Sequence, residues 1–268
     1  GTASGQFNLP SSIATNNLGQ VYVADRTNST IQKFGSQGNF IAKWGSIGSS
    51  DGQFSELGIG GVAIDSDGNV YVSDWKTARV QKFDSSGNFI TKWGSVGGSN
   101  GQFLSGPMGL AVDSSNNVFV SDHAAGRIIK FTSTGSYISK VGSYGSGNGQ
   151  FTYVYSIAID GSDNLYVSDM TQSRIQKLNS SGTYVTKWTV TGFQYIAADS
   201  VGNVYLQKTA NNQIIKYSTT GVIVNQWGES GNGAGQTQGA WGIAVGPNGD
   251  VYTTDYLGLK VIKFINPG

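Results

Sequence analysis

Cysteine is absent from the 268 residues, which excludes disulfides and thiolate-held metal and leaves the redox compartment open. Proline occurs only 4 times and histidine once, so rigid linkers are few and chemistry that needs several convergent histidines has little to draw on. Neither sign of charge prevails: 17 Lys+Arg stand against 16 Asp+Glu, a formal net charge of +1. No global field therefore draws the chain toward nucleic acid or an anionic membrane, and a partner must be recognised locally. No apolar run approaches the ~18 residues of a membrane span. The chain opens on Gly1 without a signal-like segment and reads as a processed or excised soluble piece. What is abundant is glycine, 40 residues, together with 38% hydrophobic and 12% aromatic residues, the composition of an all-β core joined by tight turns. Low charge density and plentiful Ser, Thr and Asn point to an extracellular or cell-surface location, and Asn28-Ser29-Thr30 and Asn179-Ser180-Ser181 match the glycosylation sequon.

One phrase recurs. Val-Tyr-Val-x-Asp stands at 21–25 and 70–74, with variants at 118–122, 165–169, 204–208 and 251–255. Its aromatics, at 22, 71, 119, 166, 205 and 252, lie 47 to 49 residues apart except for a 39-residue step into the fifth copy, a propeller period. Within the second unit, Gly61–Asp65, Val70–Asp74, Arg79–Phe83 and Phe89–Trp93 are four short β runs separated by turn residues. The first run is small and apolar throughout, as a strand covered on both faces must be, while the last two alternate apolar with Gln, Lys and Thr. This orders strands a, b, c and d outward from an axis and predicts a single six-bladed propeller over residues 1–268.

The phrases Gly-Val-Ala-Ile-Asp at 61–65, Gly-Asn-Val-Tyr-Val-x-Asp at 68–74, Arg-Val-Gln-Lys-Phe at 79–83 and Gly-Gln-Phe at 52–54 resemble the NHL repeat family, in register across nearly the whole chain. The resemblance implies a six-bladed β-propeller and no single function, since such propellers include RNA-binding regulators, extracellular sensors and lyases. Five d strands, at 40–44, 89–93, 137–141, 184–188 and 222–227, serve six blades. The last blade is therefore expected to be three-stranded with an exposed edge open to self-association, unless a longer parent protein supplies the strand.

Repetition also sorts the charged residues. Asp74 and Arg79, Asp122 and Arg127, and Asp169 and Arg174 share one spacing, as do Asp255 and Lys260, so they read as structural ion pairs across the b–c connection. Where the acid becomes Lys208, its partner position is Gln213, and blade one departs with Asp25 and Thr30. The Asp-rich a–b segments, such as Asp65–Asn69, keep no ligands in step and read as hairpin turns rather than calcium loops. The glycines at 145, 147 and 149 precede no helix, which removes a dinucleotide reading.

Variation gathers on the face that carries the d–a and b–c loops. The residue after the b-strand aspartate is Arg26, Trp75, His123, Met170, Thr209 or Tyr256, and the d–a loops add Met108, Tyr153, Tyr155, Gln194, Tyr195 and Trp241. These form an aromatic-rich, charge-poor surface suited to stacking on a sugar, a peptide or bases. The short fifth unit lacks Gly-Gln-Phe and is expected to leave a notch flanked by Tyr155, Met170, Tyr195, Gln207 and Lys208.

Of the cations, six lysines fall on c strands, four on d strands and three arginines sit opposite aspartates, leaving Arg26, Lys76, Lys208 and Lys260 for the loop face. Four are too few for the phosphate neutralisation that drives nucleic-acid affinity, and the outer lysines are expected to keep sheet edges soluble. The reading is a non-catalytic module that binds a protein, peptide or glycan and needs no cofactor. A lyase or lactonase with a channel-bound Ca²⁺ is the alternative from another class, and sparse single-stranded RNA binding a further one. His123, without a repeat-placed partner, reads as a surface aromatic.

Overall fold

In the computed structural model, residues 1–266 are described, except for the side chain of Gln194. They form an all-β, six-bladed propeller. Blade one is Pro10–Thr15, Val21–Asp25, Thr30–Phe34 and Phe40–Trp44, and blade two is Ile59–Ile64, Val70–Asp74, Arg79–Phe83 and Phe89–Trp93. Blade three is Pro107–Val112, Val118–Asp122, Arg127–Phe131 and Tyr137–Val141, and blade four is Val154–Ile159, Leu165–Asp169, Arg174–Leu178 and Tyr184–Thr189. Blade five is Phe193–Ala198, Val204–Lys208, Ile214–Tyr217 and Ile223–Trp227. Blade six has three strands, Ala240–Val245, Val251–Asp255 and Lys260–Phe264. Each blade is an antiparallel meander, and among the described residues the one helical element is the 3-10 turn His123–Ala125.

Strand a is small because neighbouring a strands crowd the axis. A Cβ on Gly61 would lie 2.6 Å from the Met108 carbonyl, and one on Gly109 would lie 3.0 Å from the backbone of blade four. Every a strand also shifts register against strand b, as between Ile59 and Val62, which leaves an amide outside the ladder. In blades two, three, four and six the Ser or Thr before the b-strand aspartate receives it. Ser73 Oγ accepts the Gly61 N–H and donates to the Met108 carbonyl of the next blade, both at 2.7 Å. Thr254 Oγ1 accepts the Gly242 N–H and donates to the Ser11 carbonyl, each at 2.8 Å, so the same device joins blade six to blade one.

The ring thus closes through its inner strands. Phe7, Ile13, Val21, Val23, Ala244 and Tyr252 make the apolar seam there, and Phe7 lies 5.7 Å from Phe34. Residues 1–9 add no strand to blade six, which remains three-stranded.

The c-strand lysines correct the expectation of solvated edges. All six stand over the aromatic of the adjacent b strand, from Lys130 over Phe119 at 4.8 Å to Lys263 over Tyr252 at 5.6 Å. Register explains this, since Tyr71 is directly opposite Lys82 and the other pairs follow suit. Four of them also reach an a–b carboxylate: Lys82–Asp65, Lys130–Asp113, Lys177–Asp160 and Lys263–Asp250, at 2.8 to 3.9 Å. The stem packs on the ring while the ammonium meets the acid.

Candidate binding face on the d–a and b–c loops

The b-strand aspartates position this face by holding its loops. Asp25 accepts the N–H groups of Asn8 and Leu9, Asp122 those of Leu104 and Ser105, Asp169 those of Thr152 and Tyr153, and Asp255 those of Gln238 and Gly239, all at 2.8 to 3.2 Å. The arginine partners reach the same loops. Arg127 lies 2.9 Å and Arg174 3.2 Å from their aspartates, while Arg79 is 3.9 Å from Asp74 and donates instead to the Ser49 and Gln53 carbonyls, both at 2.7 Å. Among the described residues, Lys260 makes no ion pair with Asp255, which corrects the fourth expected pair. Asp255 is instead satisfied by three backbone amides, the third being that of Gly258 at 2.9 Å. Gln32, Gln81 and Gln176 read the loop glycine and the glutamine after it, accepting from Gly5, Gly52 and Gly149 and donating to the carbonyls of Gln6, Gln53 and Gln150.

Backbone bonds explain why the next position varies freely. The amides of Arg26, Trp75, His123, Met170, Thr209 and Tyr256 donate to the carbonyls of Leu9, Gly58, Gly106, Tyr153, Gly192 and Gly239. The main chain is held by the same bond in all six blades, so the loop does not depend on which side chain stands there.

Several of these side chains meet in an arc. Ring centres run from Trp75 to His123 at 6.5 Å, to Tyr153 at 5.1 Å, to Tyr155 at 6.4 Å and to Tyr195 at 5.2 Å. His123 Nδ1 is 3.0 Å from the Gly106 carbonyl, which can only accept, so that nitrogen carries a proton. Lys76 stands 5.8 Å over Trp75. A second cluster joins Trp241 and Tyr256 at 5.2 Å, with the Arg26 guanidinium 5.5 Å over Trp241. The two clusters share one acceptor, the carbonyl of Leu57, which takes Arg26 Nη2 at 2.8 Å and Trp75 Nε1 at 3.2 Å. No sequence signal marked Leu57, because its role is a backbone one.

Tyr195 is a correction. It is 6% exposed and its hydroxyl donates at 3.0 Å to the Gly60 carbonyl of blade two, directly across the ring, so it bars the axis rather than facing solvent. Burial, followed by the neighbouring Tyr155 hydroxyl, pushes its pKa well up. Met108 is likewise buried in strand a. The notch at blade five does not open, because Val190 and Phe193 are buried into the core there and Gln207 turns to accept a hydrogen bond from Thr253 of blade six. Met170 and Lys208 are half-exposed as well but stand outside the aromatic arc, and the Gln194 side chain lies outside the described residues. Arg26, Trp75, His123, Tyr153, Tyr155, Trp241 and Tyr256 are half-exposed and remain on the face. The exposed side chains of Leu57, Leu104 and Leu257 add apolar area to it. Among the described residues no three His, Asp or Glu side chains converge as a metal site.

Fold and loop face together define a closed ring of self-similar blades that presents a variable surface on a fixed frame. The chain is an NHL-repeat six-bladed β-propeller: a family model described as NHL repeat matches residues 7–34 and 58–83, and one described as 6-bladed beta-propeller matches residues 100–193. No curated protein matches the sequence. Among solved structures, a streptogramin B lyase is similar over 96% of this chain and 93% of its own, at 16% identity and a TM-score of 0.67. A chain of a nidogen/laminin complex covers 88% and 84%, at 14% identity and a TM-score of 0.64. A Bacteroides thetaiotaomicron protein of unknown function covers 99% and 72%, at 15% identity and a TM-score of 0.73. Identities this low carry the fold alone.

Proposed function

We propose that this propeller is a non-catalytic recognition module, working at or outside the cell surface, that presents the aromatic arc of its loop face to a protein, peptide or glycan. The observation that carries the reading is the run Trp75, His123, Tyr153, Tyr155, half-exposed and in ring-to-ring contact on backbone held alike in every blade. Rigid aromatics with an arginine nearby supply large contact area at little entropic cost, the usual make-up of binding hot spots. One similar chain belongs to a nidogen/laminin complex, an assembly of proteins, which supports a partner of that class.

The test is a screen of the purified protein against glycan, peptide and single-stranded RNA arrays, followed by a double variant, Trp75→Ala and Tyr153→Ala. These side chains do not fill the core, so the melting temperature is expected to stay within a few degrees while capture of any hit falls at least tenfold. Undiminished capture would move the binding site off this face. Turnover of a screened compound by the wild type would replace the module with an enzyme.

A further inference from the structure

Four asparagines stand directly before a glycine: Asn100, Asn148, Asn232 and Asn248. In such a pair the next backbone nitrogen, with no side chain beside it, reaches the asparagine side-chain carbonyl with the least hindrance. All four asparagines are exposed, so neither sequence nor exposure sets one apart.

The hydrogen bonds of the glycine amides do. Gly149 donates to Gln176 Oε1 at 2.9 Å, Gly233 to Gln236 Oε1 at 2.8 Å and Gly249 to the Gly246 carbonyl at 3.0 Å. Among the described residues, the Gly101 amide has no partner. Strand c gives the reason. In blades two and four the loop glycine, Gly52 or Gly149, is held by Gln81 or Gln176. The residue before it, Asp51 or Asn148, is held by the lysine paired opposite that glutamine, Lys92 or Lys187. Blade three keeps the lysine, Lys140, but pairs it with Ile129, whose side chain offers no acceptor. Asn100 and Gly101 are the central pair of a turn closed by the Gln102 N–H on the Ser99 carbonyl at 3.1 Å, with Gly101 at a φ of +80°. Such a turn ties its two ends together and leaves the amide between them unbonded.

We propose that Asn100 is a site of spontaneous deamidation, the one Asn-Gly step of the four that the fold leaves reactive. The Gly101 nitrogen gives its proton to solvent base and bonds to Asn100 Cγ. The Cγ–Nδ2 bond breaks and that nitrogen leaves as ammonia, which closes a five-membered cyclic imide. Water opens the ring at either carbonyl to give aspartate or isoaspartate, and nothing is oxidised or reduced. The aspartate product sets a carboxylate where blade two has Asp51, 2.6 Å from Lys92, so Lys140 gains the same kind of partner and the formal net charge of +1 is cancelled. The isoaspartate product lengthens the main chain by one carbon inside the turn, just ahead of Leu104 and Ser105, whose amides Asp122 holds. Asn100 lies outside the aromatic arc, so the inference stands independently of the proposed function.

The purified protein is aged in mildly alkaline buffer, digested at intervals and mapped by mass spectrometry, with isoaspartate counted by an isoaspartyl methyltransferase assay. Deamidation is expected first at Asn100, about tenfold ahead of Asn148, Asn232 and Asn248, the factor set by one hydrogen bond that must break before attack. Ile129→Gln, which installs the residue of blades two and four, is expected to slow Asn100 by about the same factor, and Gln176→Ile to speed Asn148 likewise. Melting temperatures taken alongside show that each variant compared is folded, and should Ile129→Gln fail to fold, Gln176→Ile carries the test. Equal rates at the four sites, a faster rate at any of the other three, or folded variants that leave these rates unchanged would each overturn the proposal.

Discussion

The carboxylate of Asp122 accepts the backbone N–H of Leu104 at 2.8 Å, across eighteen residues of sequence, and with it the loop that enters blade three is tied to the strand that leaves its core. Five blades repeat this bond or its neighbour. The fifth unit lacks both the aspartate, replaced by Lys208, and the Gly-Gln-Phe loop whose following amides the aspartate would bind. The two losses are one event, since a buried carboxylate without donors is costly.

Replacing Asp122 by Asn would leave Arg127, 2.9 Å away and nearly enclosed, without its counter-charge. A loss of about 3 kcal/mol is expected in urea unfolding. The reverse change in blade five, Lys208→Asp, should not stabilise, because no loop amides await it. A gain of stability there would contradict the account of the short blade.

Ser73→Ala strands the Gly61 amide and removes a donor from the Met108 carbonyl, both buried at the axis. The expected cost is about 2 kcal/mol. A change at the exposed Ser86, where the side chain makes no such link, serves as the control in the same unfolding assay.

Acid should weaken the ring through Asp113 and Asp250. Burial raises the Asp113 pKa, but the Lys130 ammonium and the Asn117 side chain outweigh it and hold the carboxyl below its ordinary value; Asp250 is lowered mainly by Lys263. A carboxyl depressed in the folded state contributes stability that is complete above its unfolded pKa of about 4 and is lost as pH falls through the folded value. Urea midpoints should therefore drop below about pH 4, and less steeply for Asp113→Asn. Equal slopes for variant and wild type would remove Asp113 from the explanation.

At the other extreme, the buried Tyr195 hydroxyl has a pKa raised by burial, so its contribution is complete below the ordinary tyrosine value of about 10 and is lost as pH rises toward the folded one. Tyr195→Phe gives up the bond to Gly60 and should cost about 1 kcal/mol at neutral pH. It should also flatten the alkaline limb of the stability profile, read by unfolding at a series of pH values above about 9.

Much of this was legible in the repeats. The phrase Val-Tyr-Val-x-Asp located every b strand, and the Asp-to-Arg spacing brought Asp122 and Arg127 together, because both features lie within one hairpin. The lysines of the c strands were misplaced at the solvent edge: alternation shows which face a residue takes but not that Tyr71 and Lys82 stand opposite each other under a neighbouring turn. The notch at blade five is absent for a related reason: the loss of Gly-Gln-Phe is visible in the sequence, but that Val190 and Phe193 fill the gap depends on packing against the neighbouring blade.

What the sequence by itself determined is the count: six blades, four strands in five of them and three in the last, a fixed frame and a variable face. Those follow from local periodicity and turn residues, which act over a few residues at a time. Only the closed ring decided the rest. Tyr195 meets Gly60 across 135 residues, and Val261 and Gly38 come to line one groove, because closure brings blade two against blade five and the last blade against the first. Such meetings depend on the curvature that six packed blades accumulate, a property of the whole sheet stack that no single repeat encodes.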